Sequence, residues 1–249
     1  KKALQNLSLS LNDGDFVTVI GGNGAGKSTL LNAIAGVWPV DEGNILIDGV
    51  DVTGLPEYKR AAFIGRVFQD PMLGTAPNMQ IEENLALALR RGKKRTLRWG
   101  VTKQEREDYY ERLHALGLGL EKRMTDKVGL LSGGQRQALT LLMATLVPPK
   151  ILLLDEHTAA LDPATADKVL ELTKKIVQEN NLACLMITHN MHSALELGNR
   201  TLMMDSGRIV LDINGEERDG LTVDGLLEKF SVGVGKELDN DRILFSKVE

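Results

Sequence analysis

The chain has 249 residues, of which 43% are apolar, and its formal net charge is −4 at pH 7. This length can bury one large core, or a core with a small helical lobe, and the acidic balance argues against nucleic acid as a main partner. No apolar run is long enough to cross a bilayer and no signal-peptide pattern begins the chain, so we expect a cytoplasmic protein.

The first predicted element is a strand over 16–20, which leads into a glycine-rich loop and then a helix. The loop has the pattern Gly-x-x-x-x-Gly-Lys-Ser, whose glycines allow a tight turn and whose N–H groups converge on a phosphate. Lys27 is expected to reach the outer phosphates, and Ser28 to offer a hydroxyl to Mg²⁺. A turn that only packs a helix on a sheet would leave Lys27 without a purpose. The predicted nucleoside triphosphate-binding residues here are Asn23, Gly24, Ala25, Gly26, Lys27, Ser28 and Thr29.

Short strands and charged helices follow the loop. Alternating patterns predict strands over 4–20 and 44–49. Helices are predicted over 81–91 and 102–116, the second beginning with a capping box of Thr102 and Glu105. The basic run at 90–98 indicates a solvated loop or, alternatively, a contact with anionic lipid or an acidic partner.

A second anion site is predicted where another helix begins. Ser132, Gly133 and Gly134 form an N-cap that leaves N–H groups and the positive end of the helix dipole exposed. An ordinary structural cap would explain these three residues by themselves. It would not explain why the cap lies directly ahead of an acidic strand in a chain with a phosphate-binding loop.

The apolar run 151–154 predicts a buried parallel strand that ends in two carboxylates, Asp155 and Glu156. Doubly wound sheets bind ligands at this end of their strands. Transfer of a phosphoryl group to water needs a carboxylate for the metal and a group that deprotonates the water. Asp155 is predicted to hold the metal, acting through water, and Glu156 to be the general base for the attacking water. The alternative is an acidic pair that is simply solvated.

A third apolar strand ends just before His189, and a hairpin with a Ser-Gly turn is predicted over 201–211. A lone histidine is more often structural, but its position after a strand, in step with the other motifs, favours a functional role. The single cysteine, Cys184, lies in this apolar strand and is interpreted as a core residue in a reducing compartment.

Together these motifs resemble the nucleotide-binding subunits of ATP-binding cassette (ABC) transporters, from about Ala3 to Leu211. The loop and the acidic pair match that family's Walker A and Walker B motifs. Residues 131–135 match its Leu-Ser-Gly-Gly-Gln signature, which adds Gln135 to the ATP-binding set. Gln69 matches the Q-loop, which senses the γ-phosphate and metal and contacts the membrane partner. Residues 160–162 match the D-loop, and His189 matches the switch histidine.

The resemblance implies an α/β fold: a P-loop NTPase core with a mixed or antiparallel β subdomain and an inserted α-helical subdomain. The expected single domain has its core at about 1–70 and 131–220, its helical part at 71–130 and a short tail at 221–249. The resemblance also implies a head-to-tail dimer of identical or related copies, with ATP between Lys27 of one copy and Ser132 of the other.

The implied partners are integral membrane permease subunits and, for an importer, a solute-binding protein, with the chain on the cytoplasmic face of the membrane. The helical part should form one wall of a groove for a permease helix, with Glu82 and Glu83 exposed on it. Catalysis would rest on Glu156, His189 and Gln69, and Mg²⁺ would be held by Ser28, Gln69 and Asp155.

Two departures from the family pattern stand out. His157 occupies the position where proline usually follows the Walker B glutamate. No aromatic residue precedes Phe16 to stack on adenine, and Phe16 itself is predicted to lie in the core.

Three other functions are alternatives to transport, and within transport residues 80–85 resemble the helical part of importers for small solutes such as amino acids. A soluble ATPase of an assembly complex, as in iron–sulfur cluster assembly, is the main alternative, but its relatives tend to lose the Gln-Arg-Gln run that is intact at 135–137. A DNA-repair or chromosome ATPase would need a coiled-coil insertion or a basic surface. A non-catalytic module would be expected to have lost Glu156 or Lys27.

Overall fold

The computed structural model describes residues 2–93 and 100–234. Most of the basic run at 90–98, and the end of the predicted tail, lie outside the described residues. The chain divides into two compact units, a terminal unit of residues 1–57 and 181–249 and a central unit of residues 58–180. The predicted division into a core and a helical subdomain stays a prediction.

Eight strands and nine α-helices lie in the described residues. The strands are β1 (Phe16–Ile20), β2 (Leu46–Ile47), β3 (Val50–Asp51), β4 (Ile64–Val67), β5 (Ile151–Asp155), β6 (Ala183–Ile187), β7 (Arg200–Asp205) and β8 (Arg208–Asn214). The helices are α1 (Lys27–Ala35), α2 (Glu57–Arg60), α3 (Ile81–Leu89), α4 (Lys103–Ala115), α5 (Gly133–Thr145), α6 (Pro163–Glu179), α7 (Met191–Leu197), α8 (Gly215–Arg218) and α9 (Val223–Val234). Short 3₁₀ helices add Pro71–Gly74, Leu120–Lys122 and Val128–Leu130.

In the terminal unit, β1 is the centre of a sheet. It pairs in parallel with β6 on one side and with β7 on the other, and β8 closes the edge in antiparallel pairing with β7. Every residue of β1 and of β6 is buried, as the apolar runs predict for parallel strands covered on both faces. Buried Thr18 is satisfied by Ala194 O and by the hydroxyl of Thr201, each 3.0 Å from Thr18 Oγ1.

The predicted hairpin turn is confirmed. Ser206 and Gly207 link β7 to β8 with φ of +48° and +80°, the left-handed pair of a two-residue hairpin loop. A core cluster of this unit joins residues of the sheet to residues of α7 and α9, and contains Ile20, Ala194, Met203, Ile213 and Leu226.

The strand predicted over the first residues is wrong for 4–12. Alternate residues there are half-buried and exposed, as the pattern requires, but no described strand pairs with this segment. A strand needs a neighbour to satisfy its N–H and C=O groups. Here Gln5 N instead bonds Gly207 O at 2.9 Å, and Asn6 interrupts the extended backbone with a φ of +48°.

The central unit combines the parallel pair β4–β5 with helices α3 to α6. The capping box of Thr102 and Glu105 begins α4 as predicted, and α3 ends at Leu89, two residues before its predicted end. A continuous apolar cluster unites α3, α4 and α5, and its members are Ile81, Leu85, Ala86, Tyr109, Leu113, Leu120, Val128, Leu131, Leu139, Leu142 and Leu146.

Two carboxylates predicted to be exposed in this unit are not. Glu82 is buried, and both of its oxygens accept bonds of 2.7 Å from Arg106 on α4. Glu83 is half-buried and accepts a bond from Gln80 N at 2.7 Å, which caps α3. For Glu82 the prediction failed because its partner Arg106 lies 24 positions along the chain, on another helix, a contact that local pattern does not encode.

In the described ranges, no helix has the length and apolar character to span a membrane.

Candidate functional site

The glycine-rich loop leaves the carboxyl end of β1 and returns as the first turn of α1. A Cβ at Gly21 would lie 2.3 Å from Met204 O on the neighbouring strand β7, so only glycine lets the chain turn there. Above the loop the space is open, because a Cβ at Gly22 or Gly24 would meet no described atom within 4 Å. The loop therefore has room for a ligand beside these two glycines.

Lys27 is the chemical centre of this loop. It is buried, and its Nζ donates to Gly21 O at 2.7 Å and to Gly22 O at 3.1 Å. In the described part of the chain no side chain caps the N-terminus of α1, which begins after Gly26 with a φ of +104°. An uncapped helix N-terminus with a lysine folded over it is suited to a phosphate chain.

The other predicted loop residues differ in accessibility. Asn23, Gly24 and Ser28 are exposed, Gly26 and Thr29 are half-buried, and Ala25 is buried. Ser28 is thus an exposed hydroxyl-bearing residue on the first turn of α1, directly after Lys27.

His189 lies at the same edge of the terminal unit's sheet as the loop. It follows β6 by two residues, β6 is parallel to β1, and Thr188 N bonds Val19 O at 3.2 Å. Parallel neighbours end at the same edge, so the sequence prediction that His189 follows a strand is confirmed by its position. The side chain is exposed.

The central unit brings together a second part of the predicted set. β4 and β5 are parallel, with Val67 opposite Leu154, so Gln69 and Asp155 both emerge at the carboxyl edge of this strand pair. Gln69 is exposed, whereas Asp155 and Glu156 are half-buried. These two strand ends supply an amide and two carboxylates at one edge.

Glu156 has an unusual backbone. Its φ is +46°, in the left-handed region that few residues other than glycine and asparagine adopt, and the turn closes through a bond from Ala159 N to Glu156 O at 3.0 Å. Such conformations are held by their surroundings and concentrate at functional sites.

The next residue, His157, is buried among the side chains below this turn. Its Nε2 lies 3.0 Å from the Thr173 hydroxyl on α6, and that hydroxyl donates to Val169 O at 2.7 Å. Burial lowers the pKa of His157 to about 4, so the ring is neutral at physiological pH. The sequence singled out His157 only as a departure from proline, and no local pattern points to its partner on α6.

The signature segment begins α5 with a reciprocal cap. Ser132 Oγ accepts a bond from Gln135 N at 3.3 Å, and Gln135 Oε1 accepts one from Ser132 N at 3.2 Å, so the predicted cap is present. Ser132 and Gly133 are exposed. Gly134 is buried, and a Cβ there would lie 2.1 Å from Thr165 Cγ2 at the start of α6.

The D-loop side chain Asp162 caps α6 by accepting a bond from Thr165 N at 3.1 Å. Hydrogen bonding from Thr165 lowers the pKa of Asp162, because the bond favours the charged carboxylate.

One further contact was not predicted. Gln137, on the second turn of α5, is buried and donates through Nε2 to Phe68 O at 3.2 Å. It ties the helix that begins at Ser132 to the residue before Gln69. The Gln-Arg-Gln run at 135–137 is intact in the sequence, but periodicity does not show which backbone group Gln137 meets.

This chain is similar to known ABC transporter proteins over most of its length. The family model described as ABC transporter matches residues 4–159. A tyrosine transport ATP-binding protein of Clostridioides difficile is 49% identical over 230 residues, which are 92% of this chain and 91% of that protein. A methionine import ATP-binding protein, MetN 2, of Enterococcus faecalis is 40% identical over 211 residues, which are 84% of this chain and 58% of that protein.

Solved structures agree in fold. The dimeric ATP-binding cassette MJ0796 in a post-hydrolysis state with ADP and Pi has a TM-score of 0.72 and 30% identity, over 85% of this chain and 90% of that one. The ADP conformation of the cassette MJ1267 has a TM-score of 0.75 and 28% identity, over 92% of each chain.

Proposed function

This chain belongs to the ABC transporter family of ATP-binding subunits, and from that premise we propose that it drives the import of an amino acid across the cytoplasmic membrane. It is an ATPase coupled to transport, and the comparisons favour this function over the soluble assembly ATPase. The choice of cargo is supported by two relatives, one named for tyrosine transport and the other for methionine import.

The observation that carries the proposal is Lys27. Its buried amine lies in the loop that begins α1, whose N-terminus no described side chain caps, so the positive charge and the helix dipole together favour a bound anion. We infer that the phosphates of ATP lie against the N–H groups of 23–29, with Lys27 on the β- and γ-phosphates.

Hydrolysis is assigned to the residues at the strand ends. Glu156 accepts a proton from water, whose oxygen bonds the γ-phosphorus as the bond to the bridging oxygen of ADP breaks. His189 and Gln69 position the γ-phosphate and the water. The products are ADP and inorganic phosphate, and their charge repulsion favours release.

The Mg²⁺ site is proposed at Ser28, Gln69 and Asp155. Their donors are a hydroxyl, an amide oxygen and a carboxylate, the oxygen set that a hard cation prefers. When bound, the ion neutralises charge on the β- and γ-phosphates. Asp155, a half-buried residue, would act through water.

The working unit is proposed to be a head-to-tail pair of this chain, or of this chain and a related subunit. Ser132, Gly133, Gly134 and Gln135 of one copy would cover ATP bound at Lys27 of the other. The exposure of Ser132 and Gly133 supports this, since a cap used only to begin α5 could be covered by its own chain. Permease subunits in the membrane, and a solute-binding protein outside it, complete the proposed importer.

The test uses the parent chain, Glu156→Gln and a control, Glu171→Gln, which makes the same chemical change on an exposed part of α6. Each tagged protein is expressed in cells that carry its permease, extracted gently from membranes and assayed. Glu156→Gln should hydrolyse ATP about 10²–10⁴-fold more slowly while retaining bound ATP in a closed pair, because the proton acceptor is lost. Parent and control should keep their activity, and all three should be recovered with the permease.

Two results would contradict the proposal separately. An unchanged rate in Glu156→Gln would remove Glu156 as the base. Recovery of the parent chain with no membrane protein attached would remove the transport partner.

A further inference from the structure

The turn that carries Glu156 is held in place by the next residue, His157. β5 fixes the chain up to Asp155, and His157, which is only 2% exposed, fixes it again on the far side of Glu156. Between these two points Glu156 adopts its left-handed backbone. The direction of its side chain therefore depends on how firmly His157 is held.

The hydrogen-bond network assigns the proton on His157. The Thr173 hydroxyl already donates its only hydrogen to Val169 O at 2.7 Å, so toward His157 it has only lone pairs to offer. Nε2, 3.0 Å away, must then be the donor. The ring is held in one tautomer and one orientation by a fully buried hydroxyl in the middle of α6.

We propose that His157 is a positioning residue, which holds the Glu156 carboxylate at the attacking water through its buried hydrogen bond to Thr173. The chain of contacts runs from Glu156 through the backbone to His157 Nε2–H, then to Thr173 Oγ1–H and Val169 O. It links the site to a helix of 17 residues that is capped at its start by Asp162. This inference rests on the proposed function, since it takes Glu156 as the base.

A merely structural role would make a different prediction. If His157 only filled space, an apolar side chain of similar size would serve as well, and any loss of activity would follow a loss of folded protein. If it positions Glu156, the chemical step should suffer while ATP binding stays intact, because ATP is held by the loop at Lys27. A displacement of a reacting group by about 1 Å can cost about 10²-fold in rate.

The experiment compares two pairs of variants in the full chain. Thr173→Val and His157→Leu remove the acceptor and the donor, whereas Thr173→Ser and His157→Gln keep them. We expect the first pair to lose about 10- to 100-fold in kcat with KM for ATP within about threefold, and the second pair to return to within about threefold of the parent. A core control, Val177→Ala, is buried farther along α6 and should lower thermal stability without this loss of kcat.

Thr173→Val keeps the shape of the side chain and should fold even if His157→Leu does not. Unchanged kcat in folded Thr173→Val overturns the proposal, as does an equal loss in Val177→Ala at equal loss of stability. Failure of His157→Gln and Thr173→Ser to recover kcat also overturns it.

A double variant separates this inference from the proposed function. If His157 acts through Glu156, adding Thr173→Val to Glu156→Gln should change kcat by less than about threefold. If the double variant instead loses a further 10- to 100-fold in kcat, the Thr173 bond acts on something other than Glu156. That result overturns the inference, although Glu156 remains the base. A parental rate in Glu156→Gln alone would instead overturn the base assignment.

Discussion

At the scale of the single residue, burial decides the chemistry of His157. The imidazole is enclosed beside a neutral hydroxyl, so its charged form loses hydration, and this burial is the cause of its lowered pKa. The same burial that fixes its orientation therefore makes the folded state sensitive to acid.

The direction in which pH changes the free energy of unfolding follows from the two pKa values of His157. Burial lowers the pKa of folded His157 to about 4, whereas an unfolded histidine has a pKa of about 6.5. Between these values the unfolded chain binds more protons, so this residue's contribution is full above pH 6.5 and is lost as pH falls toward 4.

We expect the free energy of unfolding to fall by about 2 kcal/mol between pH 7 and pH 5 on account of His157. Urea unfolding of the parent and of His157→Gln at both values measures the effect. The flanking carboxylates Asp155 and Glu156 are present in both proteins, so the difference isolates the imidazole. An identical pH dependence in the two proteins would contradict the prediction.

At the scale of the element, the start of α5 is set by how closely it approaches α6. Gly134 has no side chain because Thr165 Cγ2 occupies the space that a Cβ would take, at 2.1 Å. The Thr165 backbone N–H is in turn the donor to the Asp162 cap. Signature segment and D-loop are therefore fitted to each other within one chain.

Gly134→Ala should destabilise the protein by about 1–3 kcal/mol, because a buried overlap forces one helix to move. Thr165→Ser removes the methyl group that causes the overlap and keeps the hydroxyl. The double variant should recover most of the lost stability in thermal unfolding, and Thr165→Ser alone should behave like the parent. Simple addition of the two single effects would show that the contact is not the cause.

The sequence predicted those elements whose signals are local. Repeating apolar residues predicted β1, β5 and β6, a capping box and an N-cap predicted the starts of α4 and α5, and strand ends placed His189 and Asp155, whereas Gln69 came from the resemblance to the family. The predictions that failed depended on contacts between residues that are far apart in the sequence. The alternation at 4–12 could not show that no described strand pairs with it, and Glu82 could not reveal Arg106 on another helix. His157 likewise acquires its partner only when α6 packs beneath the turn.

At the scale of the whole molecule, the two anion-binding features belong to different compact units. Lys27 is in the terminal unit and Ser132 in the central unit. In the proposed pair each nucleotide uses Lys27 of one copy and Ser132 of the other. A pair made of one copy defective at Lys27 and one copy defective at Ser132 therefore keeps one intact site.

Lys27→Ala should abolish ATP binding by a single copy, whereas Ser132→Arg should leave that binding unchanged and block closure of the pair. Neither should hydrolyse ATP alone. An equimolar mixture contains mixed pairs with one intact site and should regain about a quarter of the parental rate, if the two sites act independently. Ser8→Arg, on an exposed segment, is the control. No recovery on mixing would argue against a shared site.

The buried thiol on β6 has a practical consequence for watching this protein work. Cys184 is the chain's single cysteine, it is 0% exposed, and burial raises its pKa, so it should stay unreactive toward maleimide labels while the protein is folded. The folded parent chain should therefore give no labelling signal of its own. One engineered surface cysteine per copy would carry one fluorophore or spin label, and distances across a pair could be followed through the ATP cycle without first removing a native thiol.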